Sequence, residues 1–260
     1  MAHQSLNITL LQSDLVWEDK EANLNHFDQL LTGISDKKEL VLLPEMFTTG
    51  FSMAPERLAE PMDGPTVQWM KARAATYRCI LCGSIMIEEG GRYFNRLLWV
   101  QPDGIIGIYD KRHRFGYAGE DKSFSAGNKR LIAQVKGWRI CLMICYDLRF
   151  PVWARNRDEE YDVLVYVANW PERRSLAWKT LLQARAIENM SYVVGLNRVG
   201  KDGMDINYSG DSSVFGPLGE LLWQESAKEA VHTLTLNPDT LQQARIQFPF
   251  SKDADKFTIL

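Results

Sequence analysis

The segment Arg139-Ile-Cys-Leu-Met-Ile-Cys-Tyr-Asp-Leu-Arg-Phe-Pro151 holds the most reactive candidate side chain of this sequence, the thiol of Cys145. An apolar, strand-compatible run from Ile140 to Ile144 stops at Cys145, and Pro151 suits the first turn of a helix that follows. A thiol at a strand terminus is fixed on rigid scaffold yet stays reachable, which a nucleophile requires. The same pattern also describes a buried free cysteine in an apolar strand, and this stretch alone leaves both readings open. Two other chemically useful groups follow strands: Glu45, past the run Glu39-Leu-Val-Leu-Leu-Pro44, and Lys111, directly after the strand 105–109. Arg149, four residues beyond the cysteine, offers a planar, permanently charged fork to a carboxylate, or an internal salt bridge to Asp147, Asp162 or Glu188.

The elements that must position these groups read as follows. Leu6 to Gln12 is a first buried strand, and Asp19 to Leu31 carries Ala22, Leu24, Phe27, Leu30 and Leu31 near helical spacing. The strand before Glu45 is ended by Pro44, which cannot donate to a ladder. Residues 48–63 read as loop, and Gly64-Pro65 opens a helix to about Tyr77. Strands at 79–87, 92–100 and 105–109, joined by tight turns, predict an antiparallel meander. Residues 111–128 form a loop of a length that is usually functional. Strands at 131–135 and 138–144 lead into Cys145; a short helix at 151–156 and a strand at 162–168 follow. Strands ending at Glu45, Cys145 and Ala168 would deliver their groups to one rim. Glu172 to Asn189 is the longest helix, with Leu176, Thr180, Ala184 and Ile187 along one face. Strands at 192–197, 210–215, 221–224 and 231–236 complete a β-rich second half, with Gly216-Pro-Leu-Gly219 as a hairpin turn. From about residue 247 no periodicity is visible. With no linker or repeat, one α/β domain over 1–260, with two sheets and helices outside, is the simplest account.

Composition narrows the function classes. The chain is 45% hydrophobic and 24% charged, with a net charge of -3 and no long basic run, so neither nucleic acid nor an anionic membrane is an expected partner. No signal peptide or membrane-spanning stretch is readable, and a cytoplasmic location is expected. Cysteines 79, 82, 141 and 145 are too few for a disulfide scaffold. Cys79-Ile-Leu-Cys82 has the spacing of half a zinc site, but residues three apart on a strand point to opposite faces and no second Cys/His pair follows. His3, His26 and His232 lack metal-ligand spacing, so no metal and no cofactor is expected.

Taken together, Leu-Pro-Glu45, Tyr-Asp-Lys111 and Ile-Cys145-Tyr-Asp-Leu-Arg-Phe-Pro resemble the Glu-Lys-Cys triad of the nitrilase (carbon-nitrogen hydrolase) superfamily. Ala168-Asn-Trp-Pro171, Ala184-Arg-Ala-Ile-Glu-Asn189, Asn197-Arg-Val-Gly200, Gly210-Asp-Ser-Ser and Pro217-Leu-Gly219 look like the family's later landmarks in order, so the resemblance spans nearly the whole chain. It implies a single-domain, four-layer alpha-beta-beta-alpha sandwich, paired as a homodimer through helices near 172–189 and 151–157. It also implies hydrolysis of a small-molecule amide. A thiol with the ordinary pKa of about 8.5 is mostly protonated at neutral pH, and a nearby ammonium lowers that value while a carboxylate accepts the proton. Lys111 and Glu45 would be those partners, with Lys111 and the Tyr146 N–H as oxyanion donors. Glu120 stands where the family has a second glutamate, with Asp121 as competitor. His113 invites a Cys–His reading, but no orienting acid is evident beside it and the family uses no catalytic histidine, so loop structure is its expected role.

Cys-Tyr-Asp-Leu-Arg-Phe-Pro looks most like the omega-amidase branch, which implies that Arg149 grips the acid end of 2-oxoglutaramate or 2-oxosuccinamate and that Trp170 lines the same pocket. Phe47, Phe51 and Phe115 are expected in the core rather than the pocket. Two alternatives remain: another activity of the superfamily (N-carbamoyl amino acid hydrolysis or nitrile hydrolysis), or a catalytically idle interaction module. Shorter chain length and the Asp-Leu-Arg-Phe sequence disfavour the first, and the intact triad disfavours the second.

Overall fold

Continuous apolar runs, which bury both faces of a strand, become the central strands of two sheets in a computed structural model that describes residues 4–259; His3 lies outside them. The strands are β1 (Leu6–Gln12), β2 (Leu40–Leu42), β3 (Ile80–Glu89), β4 (Arg92–Val100), β5 (Ile106–Asp110), β6 (Leu131–Val135), β7 (Trp138–Ile144), β8 (Val163–Ala168), β9 (Tyr192–Asn197), β10 (Val199–Lys201), β11 (Asn207–Phe215), β12 (Leu221–Ser226) and β13 (Ala230–Leu236). The helices are α1 (Lys20–Gly33), α2 (Pro55–Leu58), α3 (Pro65–Tyr77), α4 (Glu120–Ser123), α5 (Pro151–Ala154), α6 (Ser175–Asn189) and α7 (Pro238–Gln247).

The first sheet runs β13-β1-β2-β3-β4-β5, and the second β10-β11-β9-β8-β7-β6 with β12 beside β11. Parallel pairing joins β1, β2 and β3 in one sheet and β7, β8 and β9 in the other. The expected meander β3-β4-β5 is antiparallel. Ile8, Leu10, Leu42 and Leu97 of the first sheet share one buried core with Ile140, Leu142 and Val165 of the second, which makes the sheets face one another. On the outer face of the first sheet, Leu11, Val41, Leu81 and Leu98 meet Phe27 and Leu31 of α1 and Val67, Met70 and Ala74 of α3. The half-site cysteines divide as strand alternation requires, Cys82 into the inter-sheet core and Cys79 under the helices. This is the helix-sheet-sheet-helix layering of the sequence reading.

Three expectations change. The apolar stripe assigned to α6 faces away from the sheet: Leu176 is 79% and Ile187 52% exposed, whereas Trp178, Leu182 and Ala186 are buried. Two apolar stripes compete on this helix, and the sheet takes the one with tryptophan, the larger area. α7 and β10 are additional elements; α7 is mostly polar and buries only Leu241 and Ala244. Residues 48–63 and 111–128 are not featureless, since they hold α2 and α4.

Gly195 of β9 lies against α6, where an added Cβ would stand 2.4 Å from Leu182 Cδ1 and 2.9 Å from Trp178 Cζ2. Gly195→Ala is expected to destabilise the fold by about 1–3 kcal/mol through overpacking. Urea unfolding should show a lower midpoint at unchanged m value.

Candidate active site

The groups singled out in the sequence come from the facing ends of both sheets. Parallel β7 and β8 of the second sheet end beside the strand end that precedes Glu45 in the first. At the end of β7 the chain turns sharply: Cys145 has φ 44°, in the left-handed region that costs a non-glycine residue of order 1–3 kcal/mol. Asp147 holds this 3-10 turn (Cys145–Arg149) by accepting from the Ile144 N–H (3.1 Å) and the Tyr109 hydroxyl (2.6 Å) on Oδ2. Its Oδ1 takes the His113 N–H (3.0 Å) and pairs with His113 Nδ1 (2.8 Å), while the His113 ring stacks on Phe150 at 3.8 Å. An acid does therefore orient His113, contrary to the sequence reading, and the pair fastens the 112–124 loop to the cysteine turn. From behind, Arg185 of α6 donates to the Leu148 carbonyl (2.5 Å).

Glu45, Lys111 and Glu120 form one buried cluster. Lys111 Nζ donates to Glu45 Oε1 at 2.8 Å and to Glu120 Oε1 and Oε2 at 3.0 and 2.9 Å, with all three side chains at most 1% exposed. Glu120 reaches the lysine from α4 and also accepts from the Phe115 N–H (2.5 Å); neighbouring Asp121 is exposed, so Glu120 is the acid that joins the cluster. The second sheet clasps Glu45 through Asn169, whose backbone N–H donates to Oε2 (2.7 Å) and whose side-chain amide donates to the Glu45 carbonyl (2.5 Å).

Burial penalises the Lys111 ammonium, but Glu120 and Glu45 outweigh it and hold the lysine charged well above its ordinary range. Glu120 is raised, first by burial and then by Glu45, against the pull of Lys111. The Cys145 thiol, 8% exposed, is also raised well above its ordinary value, first by burial and then by Glu45, with Lys111 only partly offsetting them. The expected ammonium-depressed cysteine is thus not found, because burial, together with Glu45, outweighs the one ammonium. These influences favour the protonated thiol, whose Sγ donates to the Asn169 carbonyl (3.8 Å).

Cys145 opens into a cavity of about 140 Å³ lined by Phe51, Phe115, Tyr146, Arg149, Trp170 and Tyr208, among others. Arg149 and Trp170 therefore both reach it, with the guanidinium 5.1 Å from the tryptophan ring centre. Arg149 makes none of the three salt bridges the sequence left open: Asp147 binds Tyr109 and His113, Asp162 binds Arg139 and Arg245, and Glu188 binds Arg185. Phe51 and Phe115 line the cavity, contrary to their expected core placement, while Phe47 is wholly buried. Asn197 pins the wall by exchanging hydrogen bonds with Trp170: its Oδ1 accepts from the Trp170 N–H (2.7 Å) and its Nδ2 donates to the Trp170 carbonyl (2.9 Å). No group of three or more metal-ligating side chains occurs among the described residues.

The carbon-nitrogen hydrolase profile matches residues 7–246. The chain belongs to the carbon-nitrogen hydrolase family. This hydrolase is 46% identical over 255 residues to the omega-amidase YafV of Escherichia coli K12, with 98% of each chain covered. It is 30% identical over 254 residues to a 2-oxoglutaramate amidase of Bacillus subtilis, covering 96% of this chain and 97% of that one. Among solved structures, XC1258 of Xanthomonas campestris superposes with a TM-score of 0.96 at 43% identity, covering 98% and 99% of the two chains. It is a CN-hydrolase superfamily protein with an arsenic adduct in its active site.

One residue of the cluster was missed in the sequence. Asn95 of β4 donates through Nδ2 to both Glu45 Oε1 (2.8 Å) and Glu120 Oε1 (3.1 Å), and Ser84 Oγ fixes its orientation by donating to Oδ1 (2.8 Å). Only the inward-facing parity of Asn95 among apolar β4 residues hinted at it. Asn95→Ala withdraws a donor that favours ionised Glu120, so its already raised pKa moves further up. The acid limb of the kcat/KM profile should shift to higher pH and kcat should fall, measured by ammonia release across pH 5–9.

Proposed function

We propose that this hydrolase is an omega-amidase, which uses Cys145 to release ammonia from the terminal amide of 2-oxoglutaramate or 2-oxosuccinamate. The observation that carries this reading is a hydrogen-bonded Glu45–Lys111–Glu120 cluster beside the Cys145 thiol, which opens into a small cavity where, among the described residues, Arg149 has no ion-pair partner. Similarity to the omega-amidase and the 2-oxoglutaramate amidase supports the substrate class.

The roles follow from charge and reach. Glu45 takes the thiol proton as Sγ attacks the amide carbon, which avoids an isolated thiolate in a buried site. The carbonyl oxygen becomes an oxyanion, held by a Lys111 N–H and by the Tyr146 N–H. The latter stands in the first turn of a 3-10 segment, where N–H groups have no partner within the turn. Each such donor is typically worth about 3 kcal/mol. Glu45 returns the proton to the amide nitrogen, the C–N bond breaks, and ammonia leaves a thioester on Cys145. Water then gives a proton to Glu45 and attacks the thioester, and the carboxylate product departs as the thiol is reprotonated. Glu120 keeps Lys111 aimed and charged throughout. Arg149 takes the substrate carboxylate by its fork, and Trp170 supplies a flat wall.

The chain is also proposed to be a cytoplasmic homodimer, a reading supported by four unpaired cysteines and by outward-facing Val152, Leu176 and Ile187 on the α5 and α6 surfaces.

Ammonia release from 2-oxoglutaramate, glutamine, an N-carbamoyl amino acid and a simple nitrile tests the assignment. Cys145→Ala should abolish turnover, and Glu45→Gln should lower kcat by about 10²–10⁴-fold. Equal rates in wild type and Cys145→Ala, or wild-type action on the nitrile or carbamoyl compound alone, would exclude the reading. Arg149→Lys keeps the charge but loses the fork, so KM for the keto-acid amide should rise with little change in kcat.

A further inference from the structure

The cavity wall contains two more arginines, Arg173 and Arg174, from the turn after Trp170-Pro171. The turn is fixed: the Arg174 N–H donates to the Pro171 carbonyl (2.9 Å) and the Trp170 Nε1–H donates to the Arg174 carbonyl (2.8 Å). The Arg174 guanidinium lies 4.8 Å from the Phe115 ring centre, on the side of the cavity formed by the 112–124 loop. Arg96, Arg139 and Arg245 elsewhere in the chain sit against carboxylates. Arg149, Arg173 and Arg174 do not: among the described residues none of them has an ion-pair partner, and the cavity lining contains no aspartate or glutamate. Two nearby acids are committed to other groups. Asp202 accepts from Tyr208 (2.8 Å), and Asp211 accepts from Ser175 and Ser209 (2.6 Å each).

We propose that Arg174 determines specificity for the 2-oxo acid end of the substrate, sharing it with Arg149 and rejecting amides that carry an α-ammonium group. This deepens the omega-amidase reading and rests on it. A 2-oxo acid presents only acceptors, namely the carboxylate oxygens and the keto oxygen, and the two guanidiniums present only donors. Glutamine has the same carbon chain but an α-ammonium, a cation that would enter among three cations with no acid to receive it. Burial first, and then repulsion from Arg173 with a smaller share from Arg149, pull the Arg174 guanidinium below its ordinary range, while a Cys145 thiolate opposes them. Arg174 is therefore within electrostatic reach of both the nucleophile and the other cations, and an anion at this position relieves the repulsion.

The test is kcat/KM for 2-oxoglutaramate and for glutamine in wild type, Arg174→Gln and Arg174→Lys, with circular dichroism and Tm reporting folding. Arg174→Gln should reduce the 2-oxoglutaramate/glutamine ratio at least about 10-fold, mainly through KM for the keto acid, and Arg174→Lys should fall between it and wild type. Wild type supplies an independent measurement: 2-oxoglutarate should inhibit at least about 10-fold more tightly than glutamate, which differs only at the α position. An unchanged ratio in a folded Arg174→Gln enzyme, or equal inhibition by the two acids, overturns the Arg174 assignment and leaves the omega-amidase reading standing. A wild type that releases no ammonia from 2-oxoglutaramate overturns both.

Discussion

The Lys111 ammonium, held between Glu45 and Glu120 with almost no access to water, is the constraint on which the site depends. Three charges in a dry interior are tolerable only when each is paired and its remaining hydrogen-bonding capacity is satisfied. The surrounding donors meet that condition from several directions: Asn95 bridges both carboxylates, the Phe115 N–H serves Glu120, and the Asn169 N–H serves Glu45. Loss of any one leaves an underpaired charge, so the cluster fixes the 112–124 loop, the Asn95 position of β4 and the turn after β8 relative to one another. The same arrangement sets the protonation of the nucleophile. Burial and Glu45 outweigh the ammonium and favour the protonated thiol, so in the proposed mechanism proton transfer accompanies attack.

The fold was largely legible because its strands are continuous apolar runs, whose lengths and bounding turns are local features. Cys145, Glu45 and Lys111 stood out because their types are reactive and each follows a strand. What was misread depended on the third dimension. The face of α6 could not be chosen from periodicity, since Leu176 and Ile187 make as plausible a stripe as Trp178 and Leu182. α7 escaped because its polar sequence buries only two side chains. Asn95, Asp147 and Arg174 are ordinary residue types in ordinary contexts; they matter because of side chains 25 to 50 residues away or of a cavity that only the folded chain makes. The choice between Glu120 and Asp121 turns on which of two adjacent residues the short helix α4 points inward.

Pocket composition follows a division of labour. The buried cluster behind the cavity is charge-paired, suited to handling protons, and the walls combine aromatic rings with guanidiniums that, among the described residues, have no ion-pair partner. Phe51, Phe115 and Trp170 each place a ring about 5 Å from a cation: Lys111, Arg174 and Arg149 respectively. Ring faces of this kind stabilise cations without neutralising them, so the charges remain available to an anion.

In the proposed mechanism the proton acceptor and the nucleophile are carried by different sheets, Glu45 by the first and Cys145 by the second. The gap across which the proton moves is therefore set by the thickness of the side-chain layer between the sheets, about 10 Å in facing sheets generally. In this architecture the inter-sheet core works as a spacer gauge. Ile8, Leu42, Ile140 and Leu142 do not line the cavity, yet their bulk sets the separation between acid and thiol, and in the proposed mechanism the volume of a buried methyl group becomes a catalytic variable.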